Sequence, residues 1–194
     1  SPEAYWALND SDNRVRDLVE AVEAAGRRDK TTFIDTADHG FISYTKTINP
    51  NALLRREGLL KSLGTKLSPG SQVYAMGQGG GCFIYVLDET NRAEIIAALK
   101  PKLAALEGVV FVSDDPKTVG HVPSKEDARE PDIFLSCKDG YTFGDSLAET
   151  ADVTDGGTVK GAHGYLHTED QMGGAFVISG AGVKRGVVVD AMRN

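Results

Sequence analysis

Asp38 and His39 stand side by side at the end of the stretch "FIDTADHG" (33–40), shortly after its apolar start and directly before a glycine. Carboxylate and imidazole together suit zinc or a similar divalent cation. Loops that follow strands in open α/β sheets are common ligand sites. The alternative is a plain turn, because Asp and Gly are ordinary loop residues and no dipeptide specifies a metal site by itself.

A second histidine lies in the stretch "GAHGY" at 161–165, where glycines on both sides allow the backbone to fold tightly around it. We favour His163 as a metal ligand, with an incidental histidine in a surface loop as the alternative. His167 follows four residues later, the spacing of two ligands on one helical face. The surrounding glycines argue against a helix here, so we interpret His167 as solvated or on the substrate side. Tyr165 and His167 are candidate substrate-binding residues.

Three further features have simpler interpretations. The stretch "GQGGGC" at 77–82 lacks the order of a dinucleotide-binding fingerprint, and it predicts a tight turn or close backbone packing. Cys82 and Cys137 are interpreted as buried free thiols, with a single disulfide as the alternative. His121 precedes a proline turn and is expected to be structural.

The elements that must position these residues follow from hydrophobic periodicity. A helix is predicted over 3–26, ending at Gly26, and another over 51–64, ending at Gly64. A third helix over 89–107 is expected to be interrupted by Pro101. Strands are predicted at 31–37, on both sides of the glycine stretch within 71–88, at 108–114, at 132–143 with a turn, and at 175–182.

The resulting order, β-α-β-β-α-β, predicts an α/β layered domain. Periodicity weakens after residue 114, and 144–174 is predicted to be one long loop that holds His163 and His167. A loop of about 30 residues inside a compact domain is uncommon unless it is functional.

Composition excludes several functions. The chain of 194 residues carries a net charge of −7 and no basic cluster beyond short pairs, which argues against binding to a nucleic-acid polymer. No apolar run approaches the roughly 20 residues that span a bilayer. The first ten residues do not resemble a signal peptide, and any targeting signal is expected upstream, so the compartment stays open.

Several stretches, in order, resemble the alkaline phosphatase superfamily and, within it, the type I phosphodiesterase/nucleotide pyrophosphatase family. The stretch "DKTTFIDTADHGF" is similar to that family's strand and metal-binding turn. "INPNALLRREGLL" resembles the segment after the turn, and "EDAREPDIFLSCKDGYTF" resembles the strand that approaches the active site. "GAHGYLHTEDQMGGAFVISGAGVKRG" is similar to the late stretch that supplies a histidine ligand.

The resemblance implies a layered α/β/α alkaline-phosphatase-like core, incomplete here. It would comprise 1–64 and 131–194, with a small α+β insertion or cap subdomain at 65–130. It also implies two divalent metal ions, usually zinc. Asp38 and His39 would ligate one of them and His163 the other.

The implied activity is hydrolysis of phosphodiester or pyrophosphate bonds in a small phosphate ester or nucleotide. The sequence departs from the family in one respect: the nucleophilic Thr or Ser and an Asp-x-x-x-His ligand pair have no match before Asp38. We therefore expect no catalytic nucleophile within these residues, a chain that is the C-terminal part of a larger catalytic domain, and little or no activity from this piece alone. Two alternatives remain: a phosphomonoesterase, sulfatase or phosphonate hydrolase of the same superfamily, or a non-catalytic α/β binding module.

Overall fold

The structure of the protein is a computed structural model that describes residues 1–120 and 130–190. The α-helices of the described residues are α1 (Pro2–Ala24), α2 (Pro50–Arg56) and α3 (Arg92–Ala104). The strands are β1 (Thr32–Thr36), β2 (Ile42–Ile48), β3 (Ser62–Leu63), β4 (Lys66–Leu67), β5 (Val73–Gln78), β6 (Gly81–Val86), β7 (Val109–Ser113), β8 (Ile133–Cys137), β9 (Gly140–Phe143), β10 (Val153–Ala162) and β11 (Phe176–Gly180). Short 3₁₀ helices lie at Arg28–Lys30, Pro116–Val119 and Asp170–Met172.

The described residues form two compact units, one made of residues 1–38 and 174–190 and the other of residues 39–120 and 130–173. In the first unit, Ser1 caps α1 by accepting a hydrogen bond from the backbone N–H of Ala4, and Gly26 follows the helix with a φ of +64°. Strands β1 and β11 pair antiparallel. Several large apolar side chains of this unit are exposed, among them Trp6 at 71% and Ile34 at 61%.

The second unit contains the hydrophobic core. Its larger sheet has the strand order β5-β6-β8-β7 and is antiparallel throughout. Helix α3 buries Ile95, Leu99 and Leu103, which are four residues apart and lie on one face of the helix, in the core. The most deeply buried apolar side chains of the unit are Ile42, Ile48, Leu54, Leu60, Val73, Ile84, Leu99, Leu103 and Ile133.

A smaller sheet of the same unit, in the order β10-β2-β9, positions the candidate site. Strand β2 is parallel to β9 and antiparallel to β10. The register pairs Ile42, at the start of β2, with Ala162, at the end of β10. Residues just before β2 therefore lie beside residues just after β10.

The mixed α/β class predicted from the sequence is confirmed. So are the first helix, strand β1, the two strands around the glycine stretch, the strand at Val109–Ser113, the strand and turn within 132–143, and the strand at Phe176–Gly180. Both cysteines are buried free thiols, as interpreted. The division into a core at 1–64 with 131–194 and an insertion at 65–130 stays a prediction. His121 lies outside the described residues.

Two helix predictions were wrong, one in the end of the second helix and one in the interruption of the third at Pro101. Helix α2 ends at Arg56 rather than near Gly64, because Gly58 adopts a φ of +76° immediately after the C-cap residue and turns the chain. Helix α3 continues through Pro101. The cost of the missing N–H is offset because apolar side chains on both sides of the proline, Leu99 and Leu103, are buried in the core.

Four strands were missed. Strand β2 and the short strands β3 and β4 were not predicted, and β10 occupies part of the stretch predicted to be a long loop. The register of β10 on β2 shifts between Asp155 and Lys160, and the intervening residues are not paired with β2. This irregularity breaks the alternation of apolar and polar residues that would mark a strand in the sequence. A bulged strand that pairs with a partner about a hundred residues away has little local signal.

Candidate metal centre

The structure brings His39 and His163 together. Their imidazole rings stack with a centroid separation of 4.3 Å and an interplanar angle of 21°. The register of β2 on β10 accounts for this contact, because His39 precedes the Ile42–Ala162 pair on one strand and His163 follows it on the other. Two residues far apart in sequence thus present imidazoles at one end of the same strand pair.

Phe41 completes the ring cluster. Its ring meets His39 edge-on at 5.3 Å and His163 edge-on at 5.8 Å, measured between centroids. Edge-to-face packing is a favourable aromatic geometry, so the phenyl ring stabilises this arrangement of the two histidines. Sequence reasoning missed Phe41. The available signal was an aromatic residue two positions after a candidate ligand, at the start of a strand.

The Nδ1 atom of His39 lies 2.9 Å from the carbonyl oxygen of Gly40. A carbonyl only accepts, so Nδ1 carries the proton and the ring lone pair is on Nε2. Metal-binding histidines commonly donate their other ring N–H to a carbonyl in this way.

Gly40 has a steric role of its own. Its N–H donates to the carbonyl of Met172 at 3.0 Å, and a Cβ at position 40 would lie 1.8 Å from the carbonyl oxygen of Gln171. Any other residue would push the two segments apart. The glycine after His39 is therefore required by a close backbone approach.

The backbone at His163 rests on the glycine turn between β5 and β6. The N–H of Gly80 donates to the carbonyl of His163 at 2.7 Å. Tyr165 is buried against the same turn, and its hydroxyl donates to the carbonyl of Tyr141 at 2.5 Å. The stretch "GQGGGC" is thus a tight turn with close backbone packing, as predicted.

His163 is exposed, but Tyr165 and Cys137 beneath this loop are buried. Burial raises the pKa of the Tyr165 phenol well above its ordinary value, with smaller contributions from Cys137, Asp139 and Tyr44. Burial likewise raises the pKa of the Cys137 thiol to about 12, and its Sγ lies 3.4 Å from the carbonyl of Gly80. Neither group titrates near neutral pH, so both act as neutral packing and hydrogen-bonding partners.

The candidate ligands are few, but their side-chain types suit a divalent metal ion. Within residues 1–120 and 130–190, no three His, Cys, Asp or Glu side chains converge on one point. Two adjacent imidazoles, one with its tautomer fixed, are ligands suited to zinc or a similar ion. Asp38 precedes His39 in the chain. Whether these three residues ligate metal stays a prediction.

The other candidate residues lie nearby in the second unit. His167 and Tyr165 line a cavity of about 210 Å³ together with Phe83 and Phe134, whose rings pack edge-to-face at 5.9 Å. As the sequence indicated, no helix joins His163 to His167. None of the helices in the described ranges is long and apolar enough to span a bilayer.

The chain belongs to the type I phosphodiesterase/nucleotide pyrophosphatase family, whose profile matches residues 1–166. This family lies in the alkaline phosphatase superfamily and is a family of metal-dependent hydrolases. No curated protein sequence matches this chain significantly.

Solved structures agree in fold. Human ectonucleotide pyrophosphatase/phosphodiesterase 5 aligns with a TM-score of 0.56 and 19% identity, over 92% of this chain and 41% of its own. The murine protein of the same name aligns with a TM-score of 0.58 and 18% identity, over the same shares of the two chains. An inactive form of the murine protein was solved in complex with AMP. The chain thus spans about two fifths of the length of these proteins.

Proposed function

We propose that the protein acts in the metal-dependent hydrolysis of phosphodiester or pyrophosphate bonds in nucleotide-type substrates. Family membership supports the reaction class. The observation that carries the proposal for this chain is the stack of His39 on His163 at 4.3 Å. Neighbouring imidazoles at the end of a strand pair are compatible with one ligand for each of two adjacent metal positions.

In this proposal Asp38 and His39 hold one divalent ion and His163 holds a second, with zinc as the expected metal. Bound metals of this kind stabilise charge on the attacking and departing oxygens of an in-line displacement. The residues of this chain orient the ligands: the carbonyl of Gly40 fixes the tautomer of His39, and Phe41 packs edge-on against both rings. The nucleophile and the remaining ligands are proposed to lie in polypeptide outside residues 1–194.

The proposed substrate is a small phosphate ester or nucleotide. The AMP complex of the murine relative supports a nucleotide-type ligand. The net charge of −7 does not contradict an anionic substrate, because bound cations would supply positive charge at the site itself.

The test compares metal content and hydrolysis in the longest natural polypeptide that contains residues 1–194. Metal is measured by elemental analysis after dialysis, and hydrolysis with a chromogenic phosphodiester. Replacing His39 or His163 with Ala should lower turnover by orders of magnitude and reduce metal retention, since each supplies a proposed ligand. His167→Ala is the matched histidine control for metal retention and should keep the normal metal content.

A purified His163→Ala protein with normal zinc content and normal rate would show that the ligand assignment is wrong. If the intact protein neither retains metal nor cleaves the ester, the hydrolase proposal fails and a non-catalytic binding module takes its place.

A further inference from the structure

The candidate ligand histidines share a local pattern: each is followed by a glycine whose backbone touches another segment. Gly40 meets the backbone of Gln171, as described above. Gly164 has a φ of +81°, and a Cβ there would lie 2.0 Å from the carbonyl oxygen of Gln78. The second contact joins the His163 loop to the end of β5, where the glycine turn begins.

The turn and the loop interlock over several residues. A Cβ on Gly79, whose φ is +79°, would lie 2.1 Å from the carbonyl oxygen of His163. A Cβ on Gly80 would lie 2.1 Å from the ring of Tyr165, and one on Gly81 would lie 2.6 Å from the carbonyl oxygen of Gly164. Three successive glycines are therefore needed because the loop that carries His163 occupies the space of their side chains.

The turn is also held firmly from its other side. The carbonyl of Gly79 accepts a hydrogen bond from the N–H of Phe143 at 2.7 Å, and the carbonyl of Gly80 accepts one from the N–H of Cys137 at 3.0 Å. With the bond from Gly80 to the carbonyl of His163, the turn links the ends of two strands to the histidine loop. A hairpin turn that only reversed the chain would not need these bonds.

We propose that Gly79, Gly80 and Tyr165 are positioning residues that set the His163 imidazole against that of His39. Their relevance to catalysis rests on the proposed function of His163, whereas their effect on ring geometry does not. Tyr165 contributes its ring, which lies over Gly80, and its hydroxyl, which ties the loop to Tyr141. A ligand held by supporting contacts of this kind is already in place when metal arrives.

Gly79→Ala tests the proposal in the longest natural polypeptide that contains residues 1–194. Gly58→Ala is the matched control, because Gly58 has a φ of +76°, close to the +79° of Gly79, but would place its Cβ in open space. Both variants carry the same kind of backbone strain, because an alanine is disfavoured at positive φ. Only the first also collides with the carbonyl of His163.

The measurement is the NMR shift of the His39 ring protons without metal. His163→Ala defines the shift of His39 when it has no stacked neighbour. We expect Gly79→Ala to move the His39 signal at least halfway toward that position, and Gly58→Ala to leave it unchanged. Tyr165→Phe, which removes only the hydroxyl, should move it in the same direction by less. Tyr165→Phe takes over as the test if the Gly79→Ala protein does not fold.

A folded Gly79→Ala protein with the wild-type His39 signal would overturn the proposal. Zn²⁺ is then added to each protein as the probe. Loss of a supporting contact should weaken Zn²⁺ binding by about tenfold or more in Gly79→Ala relative to Gly58→Ala. If Zn²⁺ leaves the His39 and His163 signals of the wild-type polypeptide, with all of its proposed ligands present, unmoved, the metal role is wrong. The result on ring geometry stands independently.

Discussion

Asn51 gives a sharp test of how the glycine turn is supported. Its side chain is fully buried, and it bonds the backbone of Ala75 twice: Oδ1 accepts from the N–H at 3.0 Å and Nδ2 donates to the carbonyl at 2.9 Å. Nδ2 also donates to the carbonyl of Asp145 at 3.2 Å. Since β5 is an edge strand, the carboxamide of Asn51 takes the place of a missing neighbouring strand.

Asn51→Ala removes all three bonds and leaves three backbone groups without this partner. At about 1 kcal/mol net for each bond, the local stability should fall by about 3 kcal/mol. The matched control is Asn49→Ala. Asn49 is also buried, but only its bond to the carbonyl of Ala151, at 3.1 Å, is well formed. We expect a loss of about 1 kcal/mol there.

Amide hydrogen exchange over residues 73–86, read by mass spectrometry, measures this local stability directly. A loss of 3 kcal/mol corresponds to a fall in protection of about 150-fold, against about fivefold for the control. If Asn51→Ala lowered protection by less than tenfold, or no more than Asn49→Ala, the view that Asn51 secures the edge of β5 would be refuted. Because β5 leads into the turn under His163, the same variant should also shift the His163 ring signals.

Two further outcomes follow from burial. Burial raises the pKa values of the Cys82 and Cys137 thiols in the folded protein. In the unfolded chain the same thiols lose their protons at lower pH, from about 8.5 upward. The free energy of unfolding should therefore fall as the pH rises above about 8.5. Urea titrations at pH 7 and pH 10 measure this fall, and Cys137→Ala should reduce it; an unchanged pH dependence in that variant would contradict the assignment. In α1, where no residue is buried, amides should exchange far faster than those of β8, whose residues are all buried. Equal protection in the two elements would count against this difference.

The fold class was predictable because most elements carry their own signal. The periodicity of α1, the β-branched residues of β1 and the apolar runs around the glycine stretch are local features of the sequence. The failures share a cause in long-range packing. Pro101 is tolerated because the core holds both sides of α3, and β10 exists only through its pairing with β2.

For the candidate site, residue types suggested His39 and His163, but their contact depends on β10, which the sequence did not reveal. The sequence predicted that the glycines pack closely, but not what they pack against. "GQGGGC" indicated close packing, whereas the partner in that packing, the backbone at His163, follows from tertiary structure. Phe41 had no signal strong enough to distinguish it from an ordinary strand residue.

The separation of the two histidines along the chain has a consequence for the order of folding. Joining segments 124 residues apart costs a loop-closure entropy of about 4 kcal/mol, before any contact compensates for it. The local hairpin β5-β6 closes over far fewer residues, so it should form earlier. The turn that receives the His163 loop would then exist before the loop arrives, and β10 would complete the site by docking onto a surface already built.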